Sequence, residues 1–163
     1  MLMAAVATLI SSCHKDEQET AQLIVLLTDA PATYDKVNVE IIGIDIHTNL
    51  FGWTSVNVPD SIYDLLTLQD SANAVLDTIS IAAGKISQIR LLLGNQNSVT
   101  VSGTVYPLEL SSQDETGLKL NIHQSISAGQ SYTLLLDFDA DKSVIQEGNG
   151  SYRLKPVISA SFF

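Results

Sequence analysis

Lys36-Val37-Asn38-Val39-Glu40-Ile41-Ile42-Gly43-Ile44-Asp45-Ile46 is the stretch that decides the fold of this chain. Val37, Val39 and Ile41 alternate with polar Asn38 and Glu40, which is the period of two of a strand with one buried face rather than the 3.6 of a helix. Beyond Ile41 the alternation resumes out of phase, with Ile42, Ile44 and Ile46 separated by Gly43 and Asp45. A slip of one residue inside a strand turns its apolar set to the wrong face. The spacing therefore predicts a β-bulge at Ile41 to Gly43, where glycine eases the backbone.

The same period runs outward in both directions. Upstream, Leu23-Ile24-Val25-Leu26-Leu27 is continuously apolar and reads as a strand covered on both sides, stopped by Thr28-Asp29-Ala30-Pro31. Downstream, Thr48-Asn49 turns through Phe51-Gly52 into Trp53 to Val58, a hairpin partner ended by Pro59. Lys85 to Leu93, Val99 to Val101, Tyr106 to Leu110, Leu118 to Ile122 and Tyr132 to Phe138 read as further strands. Asp60 to Asp77 is ambiguous, because Ile62, Leu65, Leu66 and Leu68 suit a short helix or a strand with a turn. Two short echoes, Ser80-Ile81-Ala82-Ala83-Gly84-Lys85 and Ser125-Ile126-Ser127-Ala128-Gly129-Gln130, place glycine before an apolar strand. They read as a repeated corner needing positive φ, or a tight corner between sheets. The expected fold is all-β, a two-sheet antiparallel sandwich of immunoglobulin-like or prealbumin-like type with at most one or two short helical turns.

At 163 residues, 45% of them hydrophobic, the chain is long enough for one domain with a substantial core. Eighteen acidic against eight basic residues give a net charge of -10, which excludes the phosphate backbone of a nucleic acid as a natural partner. No run approaches the ~20 apolar residues of a membrane-spanning helix. The single cysteine, Cys13, excludes an internal disulfide. It follows Ile10-Ser11-Ser12 and the apolar run Ala4 to Ile10, the pattern of a bacterial lipobox. Residues 1–12 are accordingly expected to be a lipoprotein signal peptide, Cys13 the lipid-attachment site, and 13–21 an acidic tether ahead of one domain over 22–163. Met1 to Ala7 holds no Lys or Arg, so the natural start is expected upstream. The chain is thus expected in the cell envelope, held to the outer membrane by its lipid on the surface or the periplasmic face.

The residues also carry a resemblance. Leu27-Thr28-Asp29-Ala30-Pro31, Tyr34 to Val39, Tyr63-Asp64-Leu65-Leu66, Ala83 to Leu91, Asp137 to Ser143 and Leu154-Lys155-Pro156, in that order, resemble the successive motifs of DUF4382, a Bacteroidota lipoprotein family catalogued as a domain of unknown function. The resemblance covers Gln22 to about Ile158. It implies a lipid-anchored envelope β-sandwich and no assigned activity.

Chemistry is sparse in this sequence. Asp137, Asp139 and Asp141 have the spacing that opens a calcium loop, but Lys142 and Gly148 stand where an EF-hand needs Gly and Glu. Either a looser calcium site or a capped turn at a strand end fits them. His14, His47 and His123 are too scattered for zinc, and no Ser sits in a nucleophile elbow, so an enzyme is not expected. Phe51, Trp53 and Tyr34 lie in or near expected loops, where a ring could stack on a sugar; for the sole tryptophan the alternative is a place in the core. Asp60-Ser61-Ile62, Asp70-Ser71-Ala72 and Asp77-Thr78-Ile79 are similar to the O-glycosylation sequence of Bacteroidota, which makes Ser61, Ser71 and Thr78 candidate acceptors if their stretch is exposed and irregular. The functional expectation is a lipid-anchored binding or interaction module for glycan or protein. The alternative is a structural, fimbrial-type component that pairs through an edge strand. A concave loop pocket would favour the first and a long uncovered edge strand the second.

Overall fold

A computed structural model describes residues 19–56, 58–59, 61–112 and 114–163. Cys13 and the lipobox lie outside the described residues. Two sheets pack face to face over one apolar core. The smaller holds β1 (Thr20–Asp29), β5 (Ala74–Ala82), β10 (Ser131–Phe138) and β13 (Ile158–Phe162), in the order β13-β10-β1-β5. The larger is built on β2 (Lys36–Thr48), with β3 (Gly52–Val56) and β4 (Ser61–Asp64) on one edge of it and β6 (Gly84–Leu93) and β7 (Ser98–Val101) on the other. Beyond β6 lies β9 (Leu118–Ile126); beyond β7 come β8 (Thr104–Leu110), β12 (Tyr152–Leu154) and β11 (Val144–Gln146).

The two-sheet sandwich is as expected, but the sheets are mixed rather than wholly antiparallel. β1 pairs in parallel with β10, and β8 with β12. Parallel neighbours need a long crossover, so no turn signal near either strand could announce them. Among the described residues helix is limited to three short pieces where one or two were expected: 3-10 turns at Leu65–Leu68 and Asp114–Thr116, and α1 (Ala140–Ser143). The ambiguous segment holds both of its alternatives in succession, strand β4 and then the first 3-10 turn, whose cap Asp64 accepts from Leu66 N. β1 begins at Thr20 rather than Gln22, with Ala21 already in the core. Leu23, Val25 and Leu27 are fully buried, whereas Ile24 and Leu26, on the outer face of the small sheet, are half-buried and not covered as a two-sided strand would be.

The bulge falls where the phase slip places it. Ile41 pairs with Leu93 and Gly43 with the adjacent Leu92, leaving Ile42 as the extra residue. Val37, Val39 and Ile41 point inward before it, and Ile44 and Ile46 after it. Ile42 itself is 41% exposed, so it belongs to neither inward set. At the same level β2 changes neighbours, from β4 to β3 on one edge and from β7 to β6 on the other. Buried Glu40 closes the second junction: its carboxylate accepts from Gln96 N and Gln96 Nε2, both at 2.8 Å, and its own N donates to Asn97 Oδ1. Gly94 makes room for this, since a Cβ there would fall 2.0 Å from Glu40 Oε2.

The echoed glycines sit at corners between the sheets. Gly84 (φ +148°) carries β5 of the small sheet into β6 of the large one, and Gly129 (φ +71°) carries β9 of the large sheet back into β10. Both corners are pinned to the start of β1, through Ala83 N to Glu19 O and Gly129 N to Thr20 O.

The bulge sets apart Ile42 and Ile44 by burial alone. Ile44→Ala is expected to cost about 2–5 kcal/mol of unfolding free energy and Ile42→Ala less than about 1 kcal/mol, read from urea unfolding. Equal losses would mean that Ile42 packs with Ile44 and the bulge lies elsewhere.

Candidate functional site

The residues of β2 that do not face the core lie on the outer face of the larger sheet, and pairing carries this face across four strands. Directly opposed residues of neighbouring strands share a face with Cβ atoms about 5 Å apart. Ser55, Asp45, Arg90 and Lys119 therefore form one row across β3, β2, β6 and β9. Trp53, His47, Gln88 and Asn121 form the next.

Side-chain contacts bind the two rows together. The Arg90 guanidinium lies 4.3 Å from the Trp53 ring centroid, a cation–π contact that spans β2. The His47 ring meets Trp53 edge-on at 5.0 Å, and its Nδ1 is 2.7 Å from Ser87 Oγ. Ser55 Oγ donates to Asp45 Oδ1 at 2.7 Å, Arg90 NH1 reaches Asp45 Oδ2 at 3.4 Å, and Gln88 Nε2 donates to Asn121 Oδ1 at 2.8 Å. Trp53 remains 41% exposed, so the expectation of a core tryptophan fails and that of an accessible ring holds. Arg90 is held in place from behind: Gly117 is buried at φ +94°, and a Cβ there would come within 2.5–2.7 Å of Arg90 Cγ and Cδ and of Leu92.

The three candidate aromatics lie in separate places. Phe51, 53% exposed, leaves the outer face and lines a cleft of about 360 Å³ between the sheets with Ile46, Val56, Ile79 and Ile81. Tyr34 precedes β2 and Phe51 follows it, so thirteen residues of strand, roughly 40 Å, separate them. Tyr34 is half-buried, its hydroxyl donating to Val144 O, and burial beside Asp141 and Tyr152 raises its pKa. A further concavity, about 760 Å³, lies over the junction of β6 and β7 and includes Glu40, Ile42, Leu110 and Pro107. Its deep carboxylate is the one already engaged by Gln96.

Residues 20–156 match the model of a family described as Domain of unknown function (DUF4382). The chain belongs to the DUF4382 family. No curated protein matches it. A solved structure described as "NMR structure of the protein from Eubacterium rectale" aligns over 87% of this chain and 92% of that one, at 13% identity and a TM-score of 0.28, a likeness that carries no argument.

Elsewhere in this DUF4382 domain, one of the three aspartates around β10, Asp139, caps a turn. Asp139 is the N-cap of α1, accepting from Lys142 N at 3.0 Å and from Lys142 Nζ at 2.6 Å, and the second bond holds its carboxyl below the usual range. Asp141 is exposed, and Ser143 Oγ accepts from Val157 N. Among the described residues no three His, Cys, Asp or Glu side chains are grouped to hold a metal ion, and no helix is long and apolar enough to cross a membrane. The three hydroxyls occupy different settings: Ser71 lies in an exposed turn at φ +73°, Thr78 is exposed within the edge strand β5, and Ser61 is half-buried in β4. Only Ser71 meets the condition of an exposed, irregular stretch.

The group that sequence reasoning misses is Asp29. It ends β1 on the core side, buried, accepting from Ala140 N at 2.9 Å and from Gln69 Nε2 at 3.2 Å. Burial pushes its pKa up from 3.8 to about 6 against those hydrogen bonds, with help from the Asp137 and Asp139 carboxylates. Between these values the folded chain holds a proton that the unfolded chain has released. Stability from this group is therefore complete below pH 4 and lost as pH rises through 6, by up to about 3 kcal/mol. In Asp29→Asn the Gln69 amide turns to face the new one. Relative to wild type, the variant is expected to gain stability from pH 4 to pH 7 in urea unfolding; an unchanged difference across that range would refute the assignment.

Proposed function

We propose that this protein is a binding module of the cell envelope, held by a lipid on Cys13, and that it takes a glycan on the outer face of the larger sheet around Trp53. The observation that carries the glycan reading is an exposed indole fixed by Arg90 and His47 among Gln88, Asn121 and Ser55. A flat ring gives a sugar's C–H face a platform, and amide, hydroxyl and imidazole groups around it supply donors and acceptors for its hydroxyls. Strands place these groups more rigidly than loops would, so little ordering opposes binding. The role is binding rather than catalysis. Ser71 is the favoured site if the protein is itself glycosylated.

One observation favours a second reading, assembly through a strand edge. β5 is a nine-residue edge strand whose one charge is Asp77 and whose Val75 is 60% exposed, which leaves it poorly guarded against pairing with another chain.

Trp53 is the sole tryptophan, so its own emission reports on the site. Titration with a panel of neutral and acidic oligosaccharides is expected to shift that emission. By calorimetry Trp53→Ala should lose at least about tenfold in affinity, with Trp53→Phe retaining more. If no sugar binds and the protein self-associates until β5 receives a Lys at Thr78, the assembly reading replaces this one. For the anchor, Cys13→Ala expressed in a lipoprotein-processing bacterium should move from the membrane to the soluble fraction; an unchanged membrane fraction would refute lipidation at that residue.

A further inference from the structure

We infer that the ligand of the Trp53 face is an acidic sugar, a glycan whose carboxylate or sulfate group is held by Arg90 and Lys119. This rests on the glycan reading above and names its chemical class.

The observation behind it is the distribution of positive charge. Eight basic residues are set against eighteen acidic ones, so each cation on this surface is expected to find a carboxylate. Lys36, Lys142 and Arg153 do, in pairs with Asp64, Asp139 and Glu147 at 3.9, 2.6 and 2.9 Å. Lys85, Lys119 and Lys155 have no such pair among the described residues, and the first two project from the outer face of β6 and β9. Arg90, directly opposite Lys119, has one contact of 3.4 Å with Asp45. Its Nε is buried and has no hydrogen-bond partner among the described residues. Arg90 and Lys119 thus share the two rows with one carboxylate, Asp45, and Lys85 lies further along β6 on the same face.

Leaving cations unpaired on an otherwise acidic protein suits an anion from outside. The Cβ atoms of Arg90 and Lys119 are about 5 Å apart on adjacent strands; the guanidinium leans across β2 to Trp53, and the flexible Lys119 stem can bring its ammonium to the same carboxylate or sulfate, which the fork of Arg90 matches in a two-point contact. Because Arg90 also covers Trp53 at 4.3 Å, a sugar stacked beside the indole would carry its acidic substituent within reach of both cations. A dense polyanion is less suitable. Charges beyond ~8 Å are screened, so the local patch governs a ligand with few, spaced charges, while a nucleic acid would extend over the acidic remainder of the surface.

The test uses matched pairs that differ in charge alone: trigalacturonate with its methyl ester for carboxylate, and sulfated with desulfated keratan oligosaccharide for sulfate. The full domain is titrated by calorimetry and Trp53 fluorescence. In at least one pair the acidic member is expected to bind about tenfold more tightly, and the gain should shrink to about threefold or less in Lys119→Gln and in high salt. Circular dichroism checks that the variant is folded. The pair that responds tells carboxylate from sulfate recognition. Equal binding of charged and neutral members, both lost in Trp53→Ala, would overturn the acidic class and leave the glycan reading standing. No binding of any member would overturn both. A short single-stranded DNA binding as tightly as the acidic sugar would also overturn the inference, since the face would then accept any polyanion.

Discussion

Strand β2 must keep one apolar face against the smaller sheet for thirteen residues while exchanging its neighbours on both edges halfway along. A regular strand could not do both, because the exchange bends the sheet and the bend would rotate the inward set away from the core. One extra residue, Ile42, absorbs the bend and hands the inward role from Ile41 to Ile44. Glu40, Gln96, Asn97 and Gly94 then fill the gap left where β7 gives way to β6. A carboxylate at such a place is tolerated because it is hydrogen-bonded on both oxygens.

The same residue count determines what the outer face displays. With Ile44 and Ile46 turned inward, Asp45 and His47 face outward, and register then aligns them with Ser55 and Trp53 on one side and with Arg90 and Gln88 on the other. Had the strand run on without the bulge, these polar groups would point into the core. Fold and candidate site therefore share one cause.

What could be read from the sequence was local. The phase slip, the β2–β3 hairpin and the two glycine corners each depend on a few adjacent residues, and each is present. The parallel pairing of β1 with β10 was not legible, since Gln22 and Ser131 are 109 positions apart with no turn chemistry to link them. The rows of the outer face were half legible. His47, Gln88, Arg90 and Asn121 are polar interruptions in apolar strands, which marks them as outward, but only register shows that they meet. Trp53 is an aromatic near a turn, whereas Phe51, two residues earlier, lies in that turn before β3 begins, so the strand's alternation does not govern it and it enters a different cleft. Asp29 gave no signal, because its burial comes from α1 and Gln69 closing over the end of β1.

The place of β1 in the small sheet also has a kinetic side. The large sheet contains hairpins, β2–β3 and β7–β8, whereas β1 sits between β5 and β10, neither of them a chain neighbour, and β10 is itself flanked by β13. Its inward Leu23, Val25 and Leu27 must therefore wait, uncovered on one edge, until β10, more than 100 positions later, has emerged. Closing so long a loop is slow, and an unpaired apolar strand is prone to wrong partners meanwhile. The closing of the small sheet around β1 therefore sets an interval in which that strand most needs protection.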